Sequence, residues 1–127
     1  MLVTPEADLT ESGDTFETNV MVDVVLQQRL TDSIALDANG HDLKDPYLSP
    51  VFGDFNKGFP PTILVCGTRD LFLSNTVILH RALRRAGVNA ELHVFEAMPH
   101  GGFSGAPEDV ESLAEQIRFV DQHLGST

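Results

Sequence analysis

Two side chains in this sequence have the types and spacing for acid–base chemistry. They are Asp70, in Gly67-Thr68-Arg69-Asp70, and His100, in Met98-Pro99-His100-Gly101. Each follows, by a few residues, a short apolar run that reads as a strand. If those strands are parallel neighbours, about 4.8 Å apart, both loops leave the same sheet edge and the carboxylate can reach the imidazole. A buried carboxylate accepting the Nδ1 proton would fix the ring tautomer and leave Nε2 as a general base, as activation of a nucleophile requires. From spacing alone the commoner reading is an Asp turn and a satisfied loop histidine, because one Asp and one His have low specificity.

The elements that must position this pair follow from pattern. Thr62 to Cys66 is a continuous apolar run bounded by Pro61 and Gly67, as expected of a strand buried on both faces. A helix is predicted from Ser74 to Ala86, with Ser74 as N-cap and Gly87 just past the end. Glu91 to Glu96 reads as a second strand through Leu92, Val94 and Phe95. Pro107 opens a last helix with Glu108, Asp109 and Glu111 in its first turn. Its Val110, Leu113, Ile117, Val120 and Leu124 recur at the spacing of a helix laid along a sheet. Strand, crossover helix and strand make a βαβ unit, and ligands bind at the edge where both loops emerge. The expected fold class is therefore α/β, with two parallel strands and flanking helices over residues 62–127.

Residues 1–61 are less regular. Glu6 to Asp23 carries six acids and no bases, broken by Ser12-Gly13-Asp14, and reads as an exposed loop outside any core. A helix is predicted from about Asp23 to Leu36, on Val22, Leu26, Leu30 and Ile34 at i+4 spacing, with Asn39-Gly40 as its stop. Residues 41–61 hold Pro46, Pro50, Pro60, Pro61, Gly53 and Gly58, the mark of a long irregular connection. Within it Tyr47 reads as packing over the sheet ends, and Phe52, Phe55 and Phe59 as a small cluster covering the loop.

With 127 residues, 42% hydrophobic and 21% charged, the chain reads as one compact domain over 1–127. A net charge of −11 argues against nucleic acid as partner. Arg81, Arg84 and Arg85 fall near a helix end, where cations offset the dipole. No apolar run approaches the roughly 20 residues of a membrane span, and no secretory leader pattern is present. The lone Cys66, inside an apolar run, reads as a buried hydrophobe in a reduced compartment, so the expected location is cytoplasmic. His41, His80, His93 and His123 show neither H-x-x-x-H spacing nor partnering cysteines, so no metal and no cofactor is expected.

Taken together, these segments resemble the C-terminal third or so of the α/β-hydrolase fold, in its hormone-sensitive-lipase-like esterase branch. Leu2-Val3-Thr4-Pro5 with Asp8-Leu9-Thr10 and Ser12-Gly13 looks like that family's exit from a central strand. Asp45-Pro46-Tyr47-Leu48-Ser49-Pro50 with Phe59-Pro60-Pro61-Thr62 is similar to the approach to the next strand. Gly67-Thr68-Arg69-Asp70-Leu71 resembles the acid loop, and Met98-Pro99-His100-Gly101 the base loop. Four motifs in the family's order are specific where any one alone is weak. The resemblance implies that Asp70 is the triad acid and His100 the general base in carboxylic ester hydrolysis through serine acylation.

That family's nucleophile lies in a G-x-S-x-G turn upstream of acid and base, and no such turn occurs here. Ser104, in Gly102-Phe103-Ser104-Gly105-Ala106, comes closest, but Ala106 breaks the pattern and the serine follows the base. Ser12 and Ser49 fare no better. His100-Gly101-Gly102-Phe103 superficially resembles the oxyanion motif, yet too few residues follow to hold nucleophile, acid and base. The resemblance thus implies a C-terminal fragment that keeps acid and base, lacks nucleophile and oxyanion hole, and has negligible turnover alone. The strand at Thr62–Cys66 would lose its natural neighbour, so a homo-oligomer, or pairing with a separate N-terminal hydrolase half, is expected at the open edge. The reading from a different class is a noncatalytic interaction module built on that edge. A flavodoxin-like acidic binding domain would need more βα units.

Overall fold

Side-chain alternation along one strand decides the layering. In the computed structural model, which describes residues 1–125, β2 (Thr62–Gly67) is buried at all six positions. Successive side chains of a strand point to opposite faces. Leu64 therefore packs with Leu79, Leu83, Val88 and Ala90 beneath α3 (Leu73–Arg85). Ile63 and Val65 meet Phe119 of α4 (Pro107–Leu124) on the opposite face. The helix between the strands thus covers one side of the sheet and the last helix the other, the α/β layering expected from pattern.

The sheet is parallel, in the order β1 (Leu2–Val3), β2, β3 (Ala90–Phe95). β2 and β3 pair from Thr62 opposite Ala90 to Gly67 opposite Phe95. β1 adds a third strand to the two expected, pairing Leu2 with Leu64 and Val3 with Val65. The Thr4 N–H extends that ladder to the Val65 carbonyl at 2.8 Å. β2 consequently has a neighbour on each side, and the edges of the sheet are β3 and the two-residue β1 rather than β2. Cys66 is fully buried in β2, and burial pushes its thiol up to about 12.

α3 and α4 sit where periodicity put them, but two details differ. Ser74 does not cap α3; its Oγ accepts the Thr15 N–H at 3.1 Å, and its own N–H, in the first turn of the helix, donates to Thr15 Oγ1 at 2.9 Å. α4 starts at Pro107 as expected but lies on the sheet by a different stripe. Ser112, Gln116 and Phe119 face inward, while Val110, Leu113, Ile117 and Leu124 are 69%, 55%, 53% and 79% exposed. The rotation has a local cause, since Asp109 in the first turn accepts the N–H groups of Phe103, Gly105 and Ala106 and so locks the helix to the preceding loop. Gln116 Nε2 donates to Ser112 Oγ at 3.1 Å, satisfying both buried groups.

Residues 6–23 are not the exposed loop that their charge suggested. Ala7, Asp8, Glu11, Thr15, Phe16, Asn19 and Asp23 are all buried, and Phe16 packs on Leu71 and Phe72. The acids can enter because they accept local donors: Asp8 takes Thr10 N–H and the hydroxyls of Thr10 and Ser12, and Glu11 takes Leu30 N–H at 2.8 Å. α1 (Thr15–Thr18) is one turn. The helix expected over 23–36 forms only as α2 (Thr31–Ala38), ending at left-handed Asn39. Asp23 accepts the Val25 N–H at 2.9 Å, an Asx turn that competes with helix, and β-branched Val22, Val24 and Val25 disfavour helix further.

Residues 41–61 form the irregular connection, with two 3₁₀ turns at Pro50–Phe52 and Phe55–Lys57. Tyr47 does not pack over the sheet; it is 98% exposed. Phe55 and Phe59 meet edge to face at 5.1 Å and Phe55 joins the core under α3, whereas Phe52 stays largely exposed.

A side-chain carbon on Gly67, at the end of β2, would lie 1.9 Å from the Met98 carbonyl oxygen. Gly67→Ala should therefore force the two loops apart and lower stability by about 3 kcal/mol. Urea unfolding of the variant beside the parent checks this.

Candidate active site

Parallel pairing that ends at Gly67 and Phe95 sends both following loops off the same sheet edge. Backbone bonds then stitch the loops together. Thr68 N–H donates to Phe95 O at 2.9 Å and Arg69 N–H to Met98 O at 3.2 Å, while Thr68 Oγ1 accepts the Ala97 N–H at 2.7 Å. Ala97 is held at φ 59°, a left-handed conformation that an L side chain tolerates at a cost of about 1 kcal/mol. Gly101 and Gly102, at φ 80° and 104°, turn the chain immediately after His100.

The structure brings Asp70 and His100 together. His100 Nδ1 lies 3.2 Å from Asp70 Oδ1, with the Asp70 side chain fully buried and the imidazole 24% exposed. Asp70 Oδ1 also accepts the Phe72 N–H at 2.9 Å. The Phe72 ring meets the imidazole edge to face at 5.1 Å and walls one side of it. With the proton on Nδ1, the carboxylate accepts it and Nε2 carries the lone pair, so the pair can take a proton from a group placed beyond Nε2.

Sequence reasoning missed the supports of this pair. Asn19 Nδ2 donates to the carbonyls of Asp70 at 2.8 Å and Thr68 at 3.1 Å, holding the acid loop from below. Asn75 Oδ1 accepts the N–H groups of Ala7 and Asp8, fixing the N-terminal segment to α3. Fully buried Asp23 accepts the Leu71 N–H at 2.8 Å and the His100 N–H at 3.3 Å. The available signal for Asp23 was a lone acid inside Val20-Met21-Val22-Asp23-Val24-Val25, a run otherwise free of charge.

The serines weighed as nucleophiles serve elsewhere. Ser49 is buried, donating to Leu43 O and accepting the Leu9 N–H. Ser12 donates to Asp8, and Ser104 is an exposed residue at φ 61°. Among the described residues no trio of His, Cys, Asp or Glu could hold a metal ion, and no helix is long and apolar enough to cross a membrane.

The hydrogen bond that His100 donates to Asp70 is the main reason His100 titrates above the ordinary imidazole value; burial opposes it, and the charges of Asp70, Asp23 and Glu6 reinforce it. Glu6 is itself raised, first by burial and then by Glu11 and Asp37. A histidine that binds its proton more tightly when folded stabilises the fold fully below its unfolded value, about 6.5, and loses that contribution as pH rises through the folded value. Glu6 acts in the same direction at lower pH. Stability should therefore fall between pH 6 and pH 8, and His100→Gln should flatten that slope, as urea unfolding at the two pH values would show.

Residues 1–104 match the family described as alpha/beta hydrolase fold. Human hormone-sensitive lipase is 33% identical over 86 residues, which are 61% of this chain and 8% of the lipase. Among solved structures, esterase E25 superposes with a TM-score of 0.90 at 45% identity, over 96% of this chain and 39% of its own. EstE5, soaked with p-nitrophenyl butyrate, gives a TM-score of 0.80 at 26% identity, over 95% of this chain and 42% of its own. The chain thus spans about two fifths of these two esterases. The chain belongs to the α/β-hydrolase fold family, beside the hormone-sensitive-lipase-like esterases.

Proposed function

We propose that these residues supply the acid and the base of a serine carboxylester hydrolase, with Asp70 orienting His100 and the nucleophile coming from outside the 127 residues. The observation that carries this reading is the Asp70–His100 hydrogen bond at the ends of two adjacent parallel strands. In that reaction His100 Nε2 takes the serine hydroxyl proton as its oxygen attacks the ester carbonyl. The same proton then goes to the departing alcohol, and water repeats the cycle on the acyl-enzyme. The chain by itself, with no G-x-S-x-G turn, turns over ester negligibly. No cofactor enters this chemistry, and one free buried cysteine accords with a cytoplasmic setting.

A second reading, a noncatalytic module that self-associates or receives a separate N-terminal hydrolase half, draws on the exposed apolar surface. Leu113 and Ile117 of α4 lie beside Met1, next to the open β1 edge. Patches of this kind mark protein contact.

Intact mass after exposure to a fluorophosphonate probe tests the first reading; no adduct is expected, and a His100-dependent adduct would reveal a nucleophile within the chain. Mixing the chain with an N-terminal hydrolase portion that bears the nucleophile should yield hydrolysis of p-nitrophenyl butyrate. His100→Ala should lower that activity by about 10²–10⁴-fold. Association without any activity would favour the second reading, and a monomeric mass by light scattering at high concentration would remove its self-associating form.

A further inference from the structure

We infer that Asp23 is a positioning residue: its buried carboxylate ties the acid loop and the base loop to one another through their backbones. The inference rests on the reading of Asp70 and His100 as acid and base.

Asp23 is fully buried although its apolar neighbours Met21, Val24 and Val25 face outward, at 74%, 69% and 55% exposed. An amphipathic segment would do the reverse. A carboxylate withdrawn from water is tolerated only where donors replace the lost hydration. Three backbone N–H groups do so here. Oδ1 accepts from Val25 at 2.9 Å and His100 at 3.3 Å, and Oδ2 accepts from Leu71 at 2.8 Å.

An ordinary Asx turn needs only the Val25 bond, two residues along. The other two reach 48 and 77 residues away, and they end on the residue following Asp70 and on His100 itself. The Nδ1–Oδ1 separation depends on where those two backbones stand. Asp23 holds both with one rigid planar group, so the acid and base loops cannot drift independently. Its negative charge also faces the imidazole, together with Asp70 and Glu6.

A static role in folding and a role in positioning differ in what they do to the imidazole. On the 127-residue chain, ¹⁵N-histidine NMR titrations of the parent, Asp23→Asn and Asp70→Asn separate them. Asn keeps the size of Asp but replaces one acceptor oxygen with a donor. Loss of the Asp23 charge by itself lowers the His100 titration a little, whereas positioning predicts a fall as large as that of Asp70→Asn, because the Asp70 hydrogen bond goes with it. Positioning also predicts loss of the Nδ1 proton signal while the amide shifts of β2 and β3 stay in place. A His100 titration that falls less than in Asp70→Asn, with the Nδ1 signal kept, in a folded Asp23→Asn would overturn the inference. If Asp70→Asn leaves His100 unmoved, the acid–base reading fails instead.

A measurement on the parent chain covers the case in which Asp23→Asn does not fold. The Leu71 and His100 amides, though in loops, should exchange with solvent at least about tenfold more slowly than Gly101. Exchange as fast as Gly101 refutes the clamp.

Discussion

At the ends of β2 and β3 the backbone of Gly67 lies against the Met98 carbonyl with no room for a side-chain carbon, and the placement of both reactive loops depends on that approach. It brings Thr68 within reach of Phe95 and Ala97, and Arg69 within reach of Met98. Each such bond is worth only about 1 kcal/mol, yet together they remove the freedom of two loops with little regular structure. The left-handed conformation of Ala97 is the strain accepted in return. A glycine at the last position of a buried strand is thus a requirement of the neighbouring loop rather than of the strand.

The acidity of the chain has a structural use distinct from solubility. Asp8, Glu11, Asp23, Asp70 and Asp109 each accept main-chain N–H groups, and they build turns and loop contacts without needing cationic partners. Bonds of this kind are stronger than neutral ones, since the acceptor is ionised. The ion pairs made by Lys and Arg, by contrast, lie toward the surface, as with Arg29 and Glu17 or Arg118 and Glu91, where water screens them and their contribution is small. An excess of 19 acids over 8 Lys and Arg follows in part from this division of labour.

Periodicity carried the regular half of the fold. β2, α3, β3 and the start of α4 are local patterns, and the topology of a βαβ unit was enough to bring Asp70 to His100. What periodicity could not carry was anything decided by a distant partner. Leu2–Val3 is too short to show a period, and it becomes a strand only because Leu64 and Val65 present open backbone groups. Residues 6–23 read as solvent-exposed because their acids were counted as charges rather than as acceptors. The seat of α4 on Ser112, Gln116 and Phe119 was hidden because its rotation is set by Asp109 and the loop before it, against the helix's own apolar stripe. Asp23 was folded into a helical pattern that its side chain in fact interrupts.

Cys66 lies at the centre of this arrangement, within the strand that pairs on both sides. With burial pushing its thiol up to about 12, it stays a protonated thiol at neutral pH, sealed from solvent. Alkylating reagents can therefore reach it only in molecules whose sheet has come apart. The single sulfur is a built-in clock: its labelling rate reads the opening of the central strand directly, with no engineered probe.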